Sequence, residues 1–329
     1  MNVDIVESPD EVESIALEWE ALLISSTCNR GFSSPWWFLA ACRSDPDISP
    51  RVITLRRGST LAGVLPLVLV AGKKEAQFAS SMANYNDVVV AGNDLDAATA
   101  LLACAAQSHH PWRLLNLPWI RNSANLRLAA IELWGARTGG RFTSSREYLF
   151  VRLPSDYGDY LGTRSRMFRK GLSRARRKCA DQGLEIQELS PQSYAPSEIV
   201  ETFLRLHLAR FGDNSAFAKS RVNESTARLA IPALFARQHI RVFGLVRGRE
   251  ILGIDISFVG PESLCTWNGG YAPESECWSP GSLLIDTGIR TAITMGLKEY
   301  DLLRGTQQWK TRWANASREV GTMTIEVGT

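Results

Sequence analysis

The chain has 329 residues, 45% apolar and 22% charged, with a formal net charge of +3. The composition excludes a disordered chain, and the length suggests two domains or one large one. The charge is uneven. Arg164 to Lys178 (RSRMFRKGLSRARRK) holds eight basic residues and no acid; without it, 29 basic residues face 34 acidic ones, a net of −5. A uniformly basic nucleic-acid coat is not expected from that distribution.

The six cysteines form no C-x-x-C pair and share no metal-ligand spacing with the four histidines. No metal is expected, and the cysteines read as small apolar residues of a reducing compartment. The N-terminus MNVDIVESPDEVES is acidic, unlike a targeting peptide, and the run Leu61 to Ala71 is far short of the ~20 residues of a bilayer span. A cytoplasmic α/β protein is the expectation.

In chain order, apolar spacing predicts a helix over 9–25 and another over 32–42, with Ser34 as N-cap before Pro35. Residues 51–70 read as two strands around Arg57-Gly58-Ser59. A short strand (87–90), a helix (94–107), a strand (113–119) and a helix (123–138) follow. A strand over 147–153 leads into the basic helix. Helices over 196–211 and 224–238 precede a second hairpin, 241–259, then a strand (264–271), a helix (280–296) and a strand (300–303). The hairpins align at an offset of 190: Arg51/Arg241, Val52/Val242, Leu55/Leu245, Arg57/Arg247, Gly58/Gly248 and Gly63/Gly253 are identical. The elements that follow also agree in kind, which predicts two copies of one α/β unit with mostly antiparallel sheets.

No P-loop, G-x-G-x-x-G or G-x-S-x-G motif occurs. The informative stretch is 267–313. A strand ends at Tyr271, and Ser279-Pro280-Gly281-Ser282 opens a helix whose first amides suit an anion such as a pyrophosphate. Asp255 sits on the strand face opposite Leu252, Ile254, Ile256 and Phe258, where a carboxylate can bind or deprotonate an amine.

Four features carry a resemblance. These are the basic helix followed by Gly183; LRLHLARFGDNSAF with His207, Arg210 and Phe217; the hairpin, strand and SPGSLL helix start in that order; and GLKEYDLLRGTQQWKTRW. Together they resemble the GNAT-type domain of cellulose-biosynthesis-associated acetyltransferases, related to Fem-type aminoacyltransferases. The resemblance implies two tandem GNAT-like domains, each a mixed, mostly antiparallel sheet flanked by helices. They are expected at 1–145, shaping the acceptor site in a cleft between domains, and at 146–329, the acyltransferase domain with a basic bridging helix over 163–180.

It further implies N-acylation of a primary amine of a small-molecule acceptor by direct transfer. Acetyl- or acyl-coenzyme A is then the co-substrate, and no prosthetic group is expected. Asp255, His207 and Lys310 become catalytic candidates, and Ser279, Gly281, Ser282, Leu283 and Arg304 coenzyme contacts. Trp267, Asn268, Tyr271 and Trp309 are the acceptor-pocket candidates. Where the family runs acidic-acidic-x-Tyr-Lys, this chain has Thr306-Gln307-Gln308-Trp309-Lys310. The alternatives are a Fem-like transferase that takes its donor from aminoacyl-tRNA on the basic helix, and a degenerate scaffold protein of polysaccharide synthesis.

Overall fold

Val52 and Ile53 are neighbours in sequence and fully buried, yet they belong to different core clusters, as the period of two along a strand requires. That doubling recurs through the computed structural model, which describes residues 1–138 and 141–327. The chain forms two compact units, Met1–Glu147 with Glu319–Thr329, and Tyr148–Arg318.

The first unit runs β1 (Asn2–Val6), α1 (Pro9–Ser14), α2 (Ala16–Ser25), α3 (Pro35–Ser44), β2 (Ile48–Arg57), β3 (Thr60–Val70), β4 (Glu75–Phe78), β5 (Val89–Val90), α4 (Leu95–Ala105), β6 (Leu114–Arg121) and α5 (Asn125–Thr138). Ser34 caps α3 by accepting from the Trp37 amide at 3.1 Å. The sheet order is β1-β2-β3-β4-β6, antiparallel except for the parallel β4–β6 pair. Trp19, Leu23, Phe38 and Leu39 of α2 and α3 pack with Val52, Val64 and Val68. Leu101, Leu102, Leu126 and Ala129 of α4 and α5 pack with Ile53, Leu55, Leu65 and Leu67.

Next come β7 (Arg141–Arg152), α6 (Tyr157–Gly162), α7 (Arg166–Asp181), β8 (Glu185–Leu189), α8 (Pro196–Phe211), α9 (Ala216–Lys219), α10 (Arg221–Ala236), β9 (Ile240–Arg247), β10 (Glu250–Val259), β11 (Ser263–Tyr271), α11 (Pro280–Thr294), β12 (Glu299–Arg304), α12 (Gln308–Thr311) and β13 (Ala316–Glu326). The second unit's sheet runs β8-β9-β10-β11-β12 and closes on Tyr148–Arg152 of β7; again one pair, β11–β12, is parallel. In the first unit, Val320–Glu326 of β13 takes the matching outer place beside β6. Each unit is thus a GNAT-like mixed sheet of the same strand order, and the repeat expected from the hairpins is present.

One boundary changes. Glu319–Thr329, expected in the C-terminal domain, falls in the first unit, where Val320–Glu326 pairs with β6. The basic helix belongs to the second unit. Ser165 caps α7 through the Phe168 amide, and Leu172, Ala175 and Cys179 bury its apolar stripe in the second unit's core. No helix of the described residues is long and apolar enough to cross a membrane.

Candidate active site

β11 and β12 pair only through Ser263–Cys265 and Glu299–Asp301. Past that point the strands part, and the gap opens into a cavity of about 490 Å³ lined by Trp267–Tyr271 of β11, Leu302 of β12, the start of α11, and Trp309, Lys310 and Trp313. Beyond Cys265, β11 stays paired with β10 and no longer pairs with β12. A strand edge left by its neighbour offers backbone donors and acceptors to an extended ligand.

Asp255 lies in the wall of this cavity and is 7% exposed. Opposite Ile256 and Ser257 the register shifts by one residue, which leaves Trp267 as the extra residue of a bulge in β11. Thr266 donates to its Oδ1 at 2.7 Å and Ser257 to its Oδ2 at 2.9 Å. Burial pushes the carboxyl up to about 6, against those hydrogen bonds and the nearby Arg210 charge. A carboxylate at that value is largely ionised at neutral pH and is a stronger base than an ordinary carboxylate.

Ser279 carries a left-handed backbone (φ 56°) where the chain enters α11. Its carbonyl accepts from Ser282 at 3.0 Å and Leu283 at 3.3 Å, and its own amide donates to Glu276. Pro280 has no N–H. Within Ser279–Leu283, only Gly281 therefore keeps an amide with no partner among the described residues. The Ser282 side chain also lines the cavity, and nothing lies within 4 Å of a Cβ built on Gly281. The matching helix start of the first unit is already answered. Asp94 accepts from the Ala97 amide at 3.1 Å and pairs with Arg57 at 2.6 Å.

A second cavity of about 640 Å³ flanks the same helix start. It shares Ser279, Ser282, Trp309 and Trp313 with the first and adds Arg164, Met167, Phe168 and Arg312. Arg164 donates to the Trp313 and Ala314 carbonyls at 3.0 and 3.1 Å. Arg312 is exposed.

The cavity gathers Asp255, Lys310, Ser279, Gly281, Ser282, Trp267, Asn268, Tyr271 and Trp309. It does not gather three others. Leu283 points into the core at 2% exposure. Arg304 is exposed at the end of β12, outside the lining. His207 lies behind β11 among Phe203, Phe211 and Phe217, and burial lowers its pKa to about 4, which holds the imidazole neutral. It is not placed to act as a base on a ligand in the cavity.

Lys310, expected as a catalytic group, is buried. It is 6% exposed, its Nζ donates to the Leu303 carbonyl at 3.3 Å and to that of Arg304, and burial pulls its pKa down to about 8. With the Asp301 carboxylate accepting from the Leu303 amide at 2.7 Å, it holds the left-handed turn at Leu303 (φ 59°). Thr306 and Gln307, which stand where the family has carboxylates, are exposed and outside the lining, so their change takes no charge from the cavity.

Sequence reasoning gave no site role to Thr266, Ser257, Arg210, Phe211 or Glu276. Thr266 is visible only once β10 and β11 are in register, whereas Ser257 lies two residues from Asp255 on the same face of β10. Arg210 had a signal, one helical turn beyond His207 in the quoted motif.

Residues 166–311 match the sequence model of the acetyltransferase (GNAT) domain. No curated protein sequence matches the chain. Among solved structures it is similar to FemX, with a TM-score of 0.67 at 11% identity, over 99% of this chain and 98% of that one. It is also similar to the C-terminal domain of a putative lysylphosphatidylglycerol synthetase from Agrobacterium fabrum (0.60, 12%, over 96% and 93%) and to L-PGS from Bacillus licheniformis (0.60, 12%, over 99% and 95%). Identities this low establish a shared fold. The chain has a GNAT-type acyltransferase fold, and every residue lining the cavity that holds Asp255, except Trp313, falls within the matched segment of the second unit.

Proposed function

We propose that the second unit is an N-acyltransferase that moves an acetyl or longer acyl group from acyl-coenzyme A to a primary amine. The observation that carries the reading is a buried Asp255 carboxyl, its pKa raised by burial, in the same cavity as the unpartnered Gly281 amide and the stretch of β11 that β12 leaves. The pyrophosphate would lie on the Gly281 amide and the Ser282 side chain, with the α11 dipole behind it. Arg164 and Arg312 in the adjoining cavity would meet the remaining phosphate charge. The thioester arm would run along that stretch of β11.

Transfer is then direct. Asp255 takes a proton from the ammonium group, and the free amine attacks the thioester carbon. The N–C bond forms and the C–S bond breaks. The thiolate leaves with the proton that the nitrogen sheds on collapse. An open cavity also favours a working enzyme over a degenerate scaffold. The motif order quoted above is what supports a finer placement among cellulose-biosynthesis-associated acetyltransferases.

The test is thiol release from acetyl-coenzyme A in the presence of an amine panel. Gly281→Ala is expected to raise KM for the thioester by about tenfold or more, since a methyl group would block close approach to the amide. Its melting temperature should not move, because the new Cβ meets nothing. Unchanged KM would remove the proposed phosphate site.

A second reading, transfer from aminoacyl-tRNA, is favoured by one observation. Arg166, Arg169, Lys170, Arg174, Arg177 and Lys178 are all exposed, and among the described residues only Arg176 of α7 makes an ion pair, with the buried Asp286. Reversing Arg169, Arg174 and Arg177 to Glu would abolish salt-sensitive tRNA retention if that reading holds. A wild-type protein that retains no tRNA at low salt excludes it.

A further inference from the structure

The crossing of α8 over β11 orients two hydrogen-bond donors toward the cavity. The crossing is close because Gly270 faces it: a Cβ there would stand 2.4 Å from the His207 backbone nitrogen. Ser215 caps α9, its Oγ accepting from the Phe217 amide at 3.1 Å and the Ala218 amide at 3.4 Å. With both lone pairs so used, its hydroxyl proton goes to the remaining neighbour, His207 Nδ1, at 3.0 Å. Nδ1 is then an acceptor, so the neutral ring carries its proton on Nε2.

The ring also hydrogen-bonds the Asn268 side chain. An Nε2–H donor selects the carboxamide oxygen of Asn268 as its acceptor. That turns the Asn268 NH2 group, which can only donate, away from the ring, on a residue that lines the cavity.

Arg210 stands one turn beyond His207 on the same helix. Its guanidinium lies 4.3 Å from the Tyr271 ring centroid and 4.7 Å from that of Phe211. The two rings hold the planar fork, and no carboxylate of the described residues is in ion-pair contact with it. Arg210, Phe211, Asn268 and Tyr271 all line the cavity that holds Asp255. Glu276 lines it too, but sits beside Ser279 at the helix start.

Donors at one place and a carboxylate at another match a ligand with the opposite arrangement. We propose that Arg210 and Asn268 form the acceptor-recognition subsite and take an acidic oxygen group, carboxylate or phosphate, on the same molecule that presents the amine to Asp255. The substrate class is then a zwitterion such as an amino acid, a peptide or an aminoalkyl phosphate. His207 is a positioning residue that acts through Asn268. The assignment rests on acyl transfer to an amine in this cavity.

The experiment offers matched acceptors to the full chain with acetyl-coenzyme A. Each amine is supplied as the free carboxylic acid, as its carboxamide and, where one exists, as the aminoalkyl phosphate; products are read by mass spectrometry. The acidic forms are expected to exceed the carboxamide by about tenfold or more in kcat/KM, the ordinary weight of a charge-assisted contact. The acid that wins identifies the group. Arg210→Gln should erase the preference mainly through KM, and Asn268→Ser should reduce it. Carboxamides used as well as acids, or a preference that survives Arg210→Gln, would overturn the proposal.

If no amine is acylated, the transfer reading has failed, and the subsite is judged by itself. The nitrogen resonances of Arg210 Nε and Asn268 Nδ2 should shift on titration with the acids and not with the carboxamides. Absence of that shift overturns the subsite. A His207 ring protonated on Nδ1 in long-range nitrogen–proton spectra overturns the orientation of Asn268.

Discussion

Asp255→Asn is expected to lower kcat/KM for acyl transfer by about 10²–10⁴-fold and, at neutral pH, to make the protein more stable. The carboxamide keeps the shape and can still meet the Thr266 and Ser257 hydroxyls, but it takes no proton. The stability effect has a definite sign. The folded-state pKa of about 6 lies above the ordinary value of 3.8, so between those pH values the folded chain binds more protons than the unfolded one. Stability from this group is therefore full below about pH 4 and falls as pH rises through 6. Above that window the buried charge costs on the order of 2–3 kcal/mol, which the substitution removes. The rate runs the other way: wild-type kcat/KM should rise with pH through about 6, and the variant should lack that limb. Thermal melts at pH 7.5 should favour Asp255→Asn by a few degrees, with the difference gone near pH 4. A variant with undiminished kcat/KM would remove Asp255 from the chemistry.

Gly270→Ala should be the most damaging single methyl group in the second unit. Its Cβ would stand 2.4 Å from the His207 nitrogen, 2.4 Å from the Leu206 carbonyl carbon and 2.6 Å from the His207 Cα. All three are helix backbone, so no rotamer change relieves the contact and α8 must lift from β11. We expect a loss of about 3 kcal/mol or more, read by urea unfolding, and in the limit no folded protein. Gly281→Ala, which meets no atom within 4 Å, is the matched control. Equal unfolding midpoints for the two would mean that α8 does not bear on β11 as described.

The strongly periodic parts of the chain were legible from sequence: the two hairpins, the helices at 94–107, 196–211 and 280–296, and the order in which they recur. What escaped was either short or charged. β1 and β8 are five-residue strands of half-exposed side chains, and β13 (ASREVGTMTIE) carries charge along its outer half, so none shows a clear alternation. The helix expected over 9–25 is interrupted at Ile15, which ends α1 and begins the next turn.

Among the candidate site residues, Asp255 and the Ser279–Ser282 segment follow from local pattern, one from strand alternation and the other from a helix start. His207 and Lys310 are catalytic candidates through the motifs that carry the resemblance. The fold places each where its hydrogen bonds matter more: Lys310 under a left-handed turn, His207 behind an asparagine. Leu283 shares the helix start but, as the first residue with a regular helical amide bond, turns its side chain inward. Three-dimensional register decided these cases, and one sequence does not carry it.

The claim that the second unit is built for a thioester coenzyme is tested most directly by calorimetry of the full chain with acetyl-coenzyme A and longer acyl thioesters. The account predicts saturable one-to-one binding with a negative heat-capacity change, weakened by Gly281→Ala. No heat from any thioester, at concentrations where the protein remains folded, would contradict it.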